Sequence, residues 1–236
     1  MPGHSLSTPL VDEVPTTASE LRPWGEPRAL YVHVPFCRHR CGYCDFTLVA
    51  GRDDLIERYL QSLEKELAFS LPEPVEIDML FFGGGTPSHL NPNQLASLFQ
   101  LVLKHVRPTE NLEFSIEANP LDVTADRLAG LRNFGVNRVS LGVQSFEDAE
   151  LRILERDHTG DEARTAVEHT AKVIPNVGID LIFGAPGQSL ESWRRSLHAA
   201  VELERHKFAQ RILIQLSVAE GSNDGGVGAG EHGRDT

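Results

Sequence analysis

The chain has 236 residues, of which 34 are acidic and 22 are basic, so its formal net charge is −12. Nucleic-acid binding depends on clustered Lys and Arg, so this acidic balance argues against a nucleic-acid partner. No apolar run approaches the roughly 18 residues that a membrane-spanning helix needs, and the N-terminal residues lack the pattern of a secretory signal. We therefore expect a cytoplasmic globular protein without integral membrane association.

Short apolar runs alternate with amphipathic stretches from Ala29 onward, after a leader at residues 1–28 that we expect to be poorly ordered. The apolar runs predict five strands, at Leu30–Val34, Ile77–Phe82, Leu112–Ala118, Asn137–Val143 and Val177–Phe183. Helical periodicity predicts helices near 53–70, 92–105, 124–133, 147–155, 160–172 and 189–204. This alternation indicates βαβ units around a parallel sheet.

The pattern degrades after Arg205, although Arg211–Val218 is a candidate sixth strand. Residues 221–236 are rich in glycine and contain no aromatic residue, so we expect them to be disordered. We accordingly predict a core domain at residues 29–205 and a divergent tail at 206–236, with a fold that is incomplete at its C-terminus.

Unusual residues follow almost every predicted strand. They lie at positions 35–37, 83–87, 117–120, 144–145 and 184–187. The carboxyl ends of all strands meet at one rim in a parallel barrel, whereas an open doubly wound sheet concentrates its special residues at one switch point. The sequence therefore predicts an α/β fold, a partial (β/α)6-type barrel, rather than an open sheet.

The three cysteines of the chain, Cys37, Cys41 and Cys44, all lie within eight residues. Disulfide scaffolds spread their cysteines along the chain, so this crowding indicates a metal or redox site. Three thiolates suit three irons of a [4Fe–4S] cluster and leave the fourth iron open to another ligand. A structural zinc with His33 or His39 as fourth ligand is the alternative, but no second cysteine pair is present in the sequence.

The spacing Cys-x-x-x-Cys-x-aromatic-Cys directly after a first strand resembles the radical S-adenosylmethionine superfamily. The flanking sequence, Tyr31 to Cys37 and Cys44 to Phe46, resembles the branch of oxygen-independent coproporphyrinogen III oxidases and HemW-like haem chaperones. The resemblance covers Ala29 to Leu203. It implies that a reduced cluster transfers an electron to S-adenosylmethionine, which then yields methionine and a 5′-deoxyadenosyl radical.

The same resemblance assigns cofactor contacts to residues around the predicted rim. These are Tyr31, Tyr43, Gly84, Gly85, Thr86, Glu117, Gln144, Arg156 and Asp180. From the residues alone, the glycines also suggest bare N–H groups that face a ligand. The sequence assigns no catalytic residue.

Structural alternatives exist for most of these residues. A carboxylate such as Glu117 at a strand end commonly pairs with a helix N-terminus or a surface arginine, Gln144 can cap the helix near Glu147, and Arg156 can be solvated or paired. Asp180 interrupts a buried strand and needs partners inside the barrel.

One residue discriminates between the two branches. The oxidase pattern has a further cysteine two residues after the third, whereas this chain has Phe46 there, which favours the chaperone branch. The resemblance implies haem or a porphyrin as ligand and flavodoxin or ferredoxin as reductant. A later His-Asn-x-x-Tyr-Trp segment of the family is absent from this sequence. We therefore expect weak haem binding, slow uncoupled cofactor cleavage and no porphyrinogen decarboxylation, and an inactive truncated relative is the third alternative.

Overall fold

In the computed structural model, residues 27–205 and 211–218 are described, with backbone only from residue 205 onward. Six parallel strands form one sheet: β1 (Ala29–Val34), β4 (Val75–Gly84), β5 (Val106–Ala118), β6 (Arg138–Gln144), β7 (Asn176–Phe183) and β8 (Arg211–Val218). A separate two-stranded sheet pairs β2 (Phe36–Cys37) with β3 (Val49–Ala50). Of the predicted leader at 1–28 and the predicted tail at 206–236, residues 1–26, 206–210 and 219–236 lie outside the described residues.

The strands of the large sheet follow one another in chain order, β1-β4-β5-β6-β7-β8, with β1 and β8 at its two edges. The order never reverses, so this sheet has no switch point of the doubly wound kind. The predicted parallel α/β architecture of a partial barrel is confirmed. The predicted sixth strand is confirmed as well, because β8 pairs with β7 along its whole length.

Helices follow the strands as the periodicity predicts. They are α1 (Ile56–Ser70), α2 (Pro92–Leu103), α3 (Ala125–Asn133), α4 (Asp148–Ile153), α5 (Gly160–Val173) and α6 (Leu190–Arg205). Capping boxes define the N-termini of α2 and α5. They are formed by Asn91 with Gln94 and by Thr159 with Glu162. No helix of the described segments is long and apolar enough to cross a membrane.

The core lies between the sheet and the helices. Alternate strand residues such as Val139, Leu141 and Ile179 are fully buried there. Phe82, Phe99 and Phe114 pack edge to face or tilted, with ring centroids 4.9 to 5.6 Å apart, and join β4 and β5 to α2. The opposite face of the sheet lines the inside of the barrel. It carries the alternate strand residues that point away from this core.

That inner face carries mainly polar side chains, although barrel interiors are usually filled by bulky branched side chains. Ser115 and Arg138 hydrogen-bond to Glu113 at 2.8 and 3.2 Å, and Ser140 donates to Asp180 at 2.9 Å. The predicted buried partner of Asp180 is thus Ser140 on the neighbouring strand. These polar groups are potential hydrogen-bond partners for a ligand at the inner face.

Candidate functional site

The cysteine loop begins where β2 ends, at the carboxyl end of β1. Cys37 and Cys41 are buried, and Cys44 is half-buried. A turn closes the loop, since the N–H of Cys44 donates to the carbonyl of Cys41 at 3.0 Å. All three thiols therefore lie in one compact segment at the rim, as the spacing predicts.

The loop is anchored on the far side of the rim by the segment Glu155–Asp157, which follows α4. The Nε2 atom of His39 contacts the carbonyl of Glu155 at 2.9 Å, and Arg38 pairs with Asp157 at 3.4 Å. Glu155 has a φ of +53°, a conformation that side-chain-bearing residues rarely adopt. This conformation ends α4 locally, since the N–H of Glu155 donates to the carbonyl of Arg152 at 3.2 Å and the N–H of Arg156 donates to the carbonyl of Leu151 at 2.8 Å.

Arg156 lies at the centre of this contact. Its guanidinium donates to the carbonyl of Gly142 at 3.0 Å and lies 3.7 Å from the Sγ of Cys41 and 3.5 Å from the hydroxyl of Tyr43. Its Nε atom is buried without a hydrogen-bond partner. The solvated alternative for Arg156 is therefore wrong, and the site holds a buried cation next to a cysteine sulfur.

Tyr43 packs against a small apolar cluster of Leu154, Ile182 and Ala185. Burial raises the pKa of its hydroxyl to about 12, although the charge of Arg156 opposes that rise. Tyr43 is accordingly a neutral hydrogen-bonding group between the cysteine loop and the barrel wall.

The glycine segment at the end of β4 lies in close contact with neighbouring segments. Gly84 has a φ of +114°, and a Cβ there would lie 2.6 Å from the ring of His33, while a Cβ on Gly85 would lie 2.8 Å from the carbonyl of Phe36. Both positions consequently require glycine for close approach. The segment joins the cysteine loop to the barrel interior.

The expectation of bare N–H groups in this segment is wrong. The N–H groups of Gly84, Gly85 and Thr86 donate to the Glu117 carboxylate, the Val34 carbonyl and the Phe36 carbonyl, at 3.0, 2.8 and 2.8 Å. These hydrogen bonds join the glycine segment to β1, β2 and β5 and so hold the start of the cysteine loop in place. The segment is left with the carbonyl oxygens of Gly84 and Gly85 and the Thr86 hydroxyl as groups for a ligand, since the Thr86 carbonyl accepts from the N–H of His89.

Two partly buried carboxyl groups, of Glu117 and Asp180, lie on the inner face of the barrel. Burial raises the pKa of Glu117 to about 7, the Gly84 N–H opposes this rise, and the charge of Asp180 adds to it. Burial also raises the pKa of Asp180 to about 6, against the stabilising hydrogen bond from Ser140. Perturbed carboxyl groups in a cleft are typical of ligand sites.

His33 and Tyr31 border the same interior. The ring nitrogens of His33 contact the carbonyl of Thr47 at 2.7 Å and the hydroxyl of Tyr31 at 3.1 Å. Tyr31 stacks on Phe81 with centroids 5.8 Å apart. Since both nitrogens of His33 are engaged by protein groups, this histidine does not serve as the fourth ligand of a zinc site.

Gln144 ends β6 with a φ of +66°, another strained position at the rim. A Cβ on Gly142 would lie 2.9 Å from the Nε2 of Gln144 and 3.7 Å from the Nη2 of Arg156, so both side chains converge over this glycine. The alternative capping role of Gln144 is wrong, because helix α4 starts at Asp148 with Glu147 as its N-cap residue and no side-chain cap. The N–H of Glu147 is instead satisfied by the hydroxyl of Ser145, at 3.1 Å.

The donor set fits an iron–sulfur cluster better than a single metal ion. Within residues 27–205, no three His, Cys, Asp or Glu side chains lie close enough together to ligate one ion. A zinc ion needs four ligand atoms about 2.0–2.3 Å from one point, whereas the thiolates of a cubane bind separate irons. Three thiols lie in one loop beside Arg156, whose Nε is buried without a hydrogen-bond partner. The positive charge of this arginine is compatible with an anionic cluster.

The structure divides the predicted site residues into two adjoining groups. Tyr43, Thr86, Gln144 and Arg156 lie around the cysteine loop, whereas Tyr31, Gly84, Glu117 and Asp180 line the barrel interior. Gly85 lies between the groups. Five residues have contacts in the site that the sequence does not predict: Arg38, His39, Glu155 and Asp157, which hold the cysteine loop in place, and Ser140. Their partners lie 40 or more residues away, and no local signal identifies them.

Comparison with known proteins places this arrangement among characterised relatives. Residues 31–200 match the sequence model of the Radical SAM superfamily. The chain is 36% identical over 191 residues to Heme chaperone HemW of Bacillus subtilis, and 35% identical over 203 residues to Radical S-adenosyl methionine domain-containing protein 1, mitochondrial, of Bos taurus. These alignments cover 79% and 85% of this chain but 50% and 45% of the relatives.

Among solved structures, the chain is similar to the coproporphyrinogen III oxidase HemN of Escherichia coli, which is a radical SAM enzyme. The TM-score is 0.72 and the sequence identity is 31%, over 81% of this chain and 44% of that one. The chain thus spans about half the length of the relatives it matches.

Proposed function

Because the chain belongs to the radical SAM superfamily, we propose that Cys37, Cys41 and Cys44 each bind one iron of a [4Fe–4S] cluster. The fourth iron then binds S-adenosylmethionine. The observation that carries this proposal is the seating of the cysteine loop against Arg156 at the rim of the partial barrel. When bound, the cluster supplies one-electron reduction of the sulfonium group of S-adenosylmethionine.

The rim residues provide complementary groups for each part of S-adenosylmethionine. The guanidinium of Arg156 suits the carboxylate of the methionine moiety, since its Nε has no protein partner. The amino group is a donor, so the carbonyl oxygens of Gly84 and Gly85 suit it, whereas their N–H groups are already bonded to protein acceptors.

Other residues of the site suit the adenosyl moiety. Ribose hydroxyls can donate to carboxylate oxygens, and Glu117 and Asp180 present such oxygens in the barrel interior. Tyr31 and Tyr43 offer aromatic faces, Gln144 an amide and Thr86 a hydroxyl. These assignments follow the family resemblance and are supported by the grouping of the residues around one space.

At the level of biological role, we propose that residues 29–205 form the radical SAM core of a HemW-like haem chaperone. The support is the 36% identity to Heme chaperone HemW, together with Phe46 at the position of the additional oxidase cysteine. Phe46 is 68% exposed, so the core does not require it. Oxidation of coproporphyrinogen III, as the name of the similar Escherichia coli protein describes it, is the alternative activity.

The experiment separates these roles with one preparation. The anaerobically reconstituted protein is titrated with haem, followed by absorbance, and is separately incubated with reductant, S-adenosylmethionine and coproporphyrinogen III. Saturation at one haem per chain, without protoporphyrinogen IX, supports the chaperone. Formation of protoporphyrinogen IX contradicts the chaperone role and supports the oxidase. If the protein neither binds haem nor forms protoporphyrinogen IX, the inactive truncated relative is supported. A flavodoxin or ferredoxin is the reductant class we propose for the cell.

A further inference from the structure

The hydroxyl of Thr86 contacts a cysteine sulfur. Its Oγ1 atom lies 3.2 Å from the Sγ of Cys37, and Cys37 is only 7% exposed. The contact joins the segment after β4 to the first residue of the cysteine loop, 49 positions earlier in the chain.

Backbone hydrogen bonds hold Thr86 in this place independently of its side chain. Its N–H donates to the carbonyl of Phe36, and its carbonyl accepts from the N–H of His89, both at 2.8 Å. A threonine at the start of a helical turn commonly uses its hydroxyl as a cap. Here the turn Pro87–His89 has no side-chain cap, so the hydroxyl is directed to the sulfur instead.

The direction of this hydrogen bond follows from the chemistry of a cluster ligand. A cysteine that binds iron is a thiolate and has no proton to donate. The Thr86 hydroxyl has one proton, so in the loaded protein it is the donor. Burial of Cys37 strengthens the electrostatic effect, because water does not compete for the sulfur.

A hydrogen bond to a ligand sulfur stabilises the more negative, reduced state of an iron–sulfur cluster. We propose that Thr86 donates its hydroxyl hydrogen bond to the Cys37 ligand and thereby raises the reduction potential of the cluster. This inference rests on the proposed function, since it requires the cluster at the cysteine loop. It gives Thr86 a role in the absence of S-adenosylmethionine, separate from the cofactor contact assigned to it above.

The test compares two substitutions in the reconstituted full chain without S-adenosylmethionine. Thr86→Val keeps the β-branched shape and removes the hydroxyl, whereas Thr86→Ser keeps the hydroxyl. The midpoint potential is measured by redox titration followed by electron paramagnetic resonance, with iron and sulfide determined in each sample. The contact between Arg156 and Cys41 is retained in both variants.

We expect Thr86→Val to lower the ratio of reduced to oxidised cluster about tenfold at the wild-type midpoint potential, which corresponds to about 59 mV for a one-electron couple. Thr86→Ser is expected to stay within about twofold of the wild type. If Thr86→Val does not take up a cluster, Thr86→Ala is titrated in its place, with the same expected shift.

Two results overturn the inference and are distinguishable. A fully loaded valine or alanine variant with the wild-type potential shows that the hydroxyl does not tune the cluster, and leaves the proposed function intact. A wild-type protein that takes up no cluster removes both the inference and the proposed function. Failure of both variants to load, while Thr86→Ser loads normally, also overturns it, because the hydroxyl is then needed for assembly rather than for the potential.

Discussion

The half-buried carboxyl group of Glu117 makes the stability of the cofactor-free protein depend on pH. Burial raises its pKa from the ordinary value of 4.5 to about 7. Between these values the folded state holds a proton that the unfolded state releases. The stabilisation is therefore complete below pH 4.5 and is lost as the pH rises through about 7.

The change from 4.5 to about 7 corresponds to about 3 kcal/mol of unfolding free energy. Glu117 is half-buried, and solvent screening reduces the expected effect to about 1–2 kcal/mol. Glu117→Gln removes the ionisation and keeps an oxygen that accepts the Gly84 N–H. We expect the unfolding free energy of the variant, relative to that of the wild type, to be about 1–2 kcal/mol higher at pH 8 than at pH 5.

The assay is urea unfolding of cluster-free, thiol-reduced protein at pH 5 and pH 8, followed by circular dichroism. Glu64→Gln is the matched control, because Glu64 is exposed on α1. The control is expected to change the unfolding free energy by less than about 0.5 kcal/mol at either pH. A Glu117→Gln variant with the same difference from wild type at both pH values refutes the assignment of a protonated Glu117.

Three further outcomes test the packing and the site. Phe82→Ala is expected to lower the unfolding free energy by about 3–5 kcal/mol in urea, whereas Phe69→Ala, at a side chain 88% exposed, changes it little; equal losses contradict the core assignment. Thr159→Ala removes a capping box and is expected to cost about 1 kcal/mol in the same assay; no loss shows that the cap is unimportant. Ser140→Ala is expected to raise the pKa of Asp180 further above about 6, because the hydroxyl stabilises the charged carboxylate; an unchanged or lower value in a carbon-13 NMR titration contradicts this.

The elements and their order follow from local patterns in this sequence. The apolar runs and helical periodicity predict every strand of the large sheet and all six helices. The positions of Glu117 and Gln144 at strand ends are likewise predictable, because parallel strands bring their carboxyl ends to one rim. These features depend on spacing alone.

The hydrogen-bond partners within the site depend on register and loop geometry instead. The N–H groups of Gly84, Gly85 and Thr86 donate hydrogen bonds to Glu117, Val34 and Phe36. The sequence near the glycines does not indicate these acceptors. The contact between the carbonyl of Glu155 and His39 arises in the same way, because His39 lies in a loop more than 100 residues earlier. Local propensity is overridden where distant segments meet.

The iron and sulfide content of the anaerobically reconstituted protein, with its electron paramagnetic resonance spectrum before and after S-adenosylmethionine, tests the central claim most directly. The account predicts about four irons and four sulfides per chain, and a reduced spectrum that changes when S-adenosylmethionine is added. It also predicts that Cys41→Ala abolishes the cluster and that Asp180→Ala weakens the spectral change. One tightly bound zinc without acid-labile sulfide, or a reduced cluster whose spectrum ignores S-adenosylmethionine, would contradict the account.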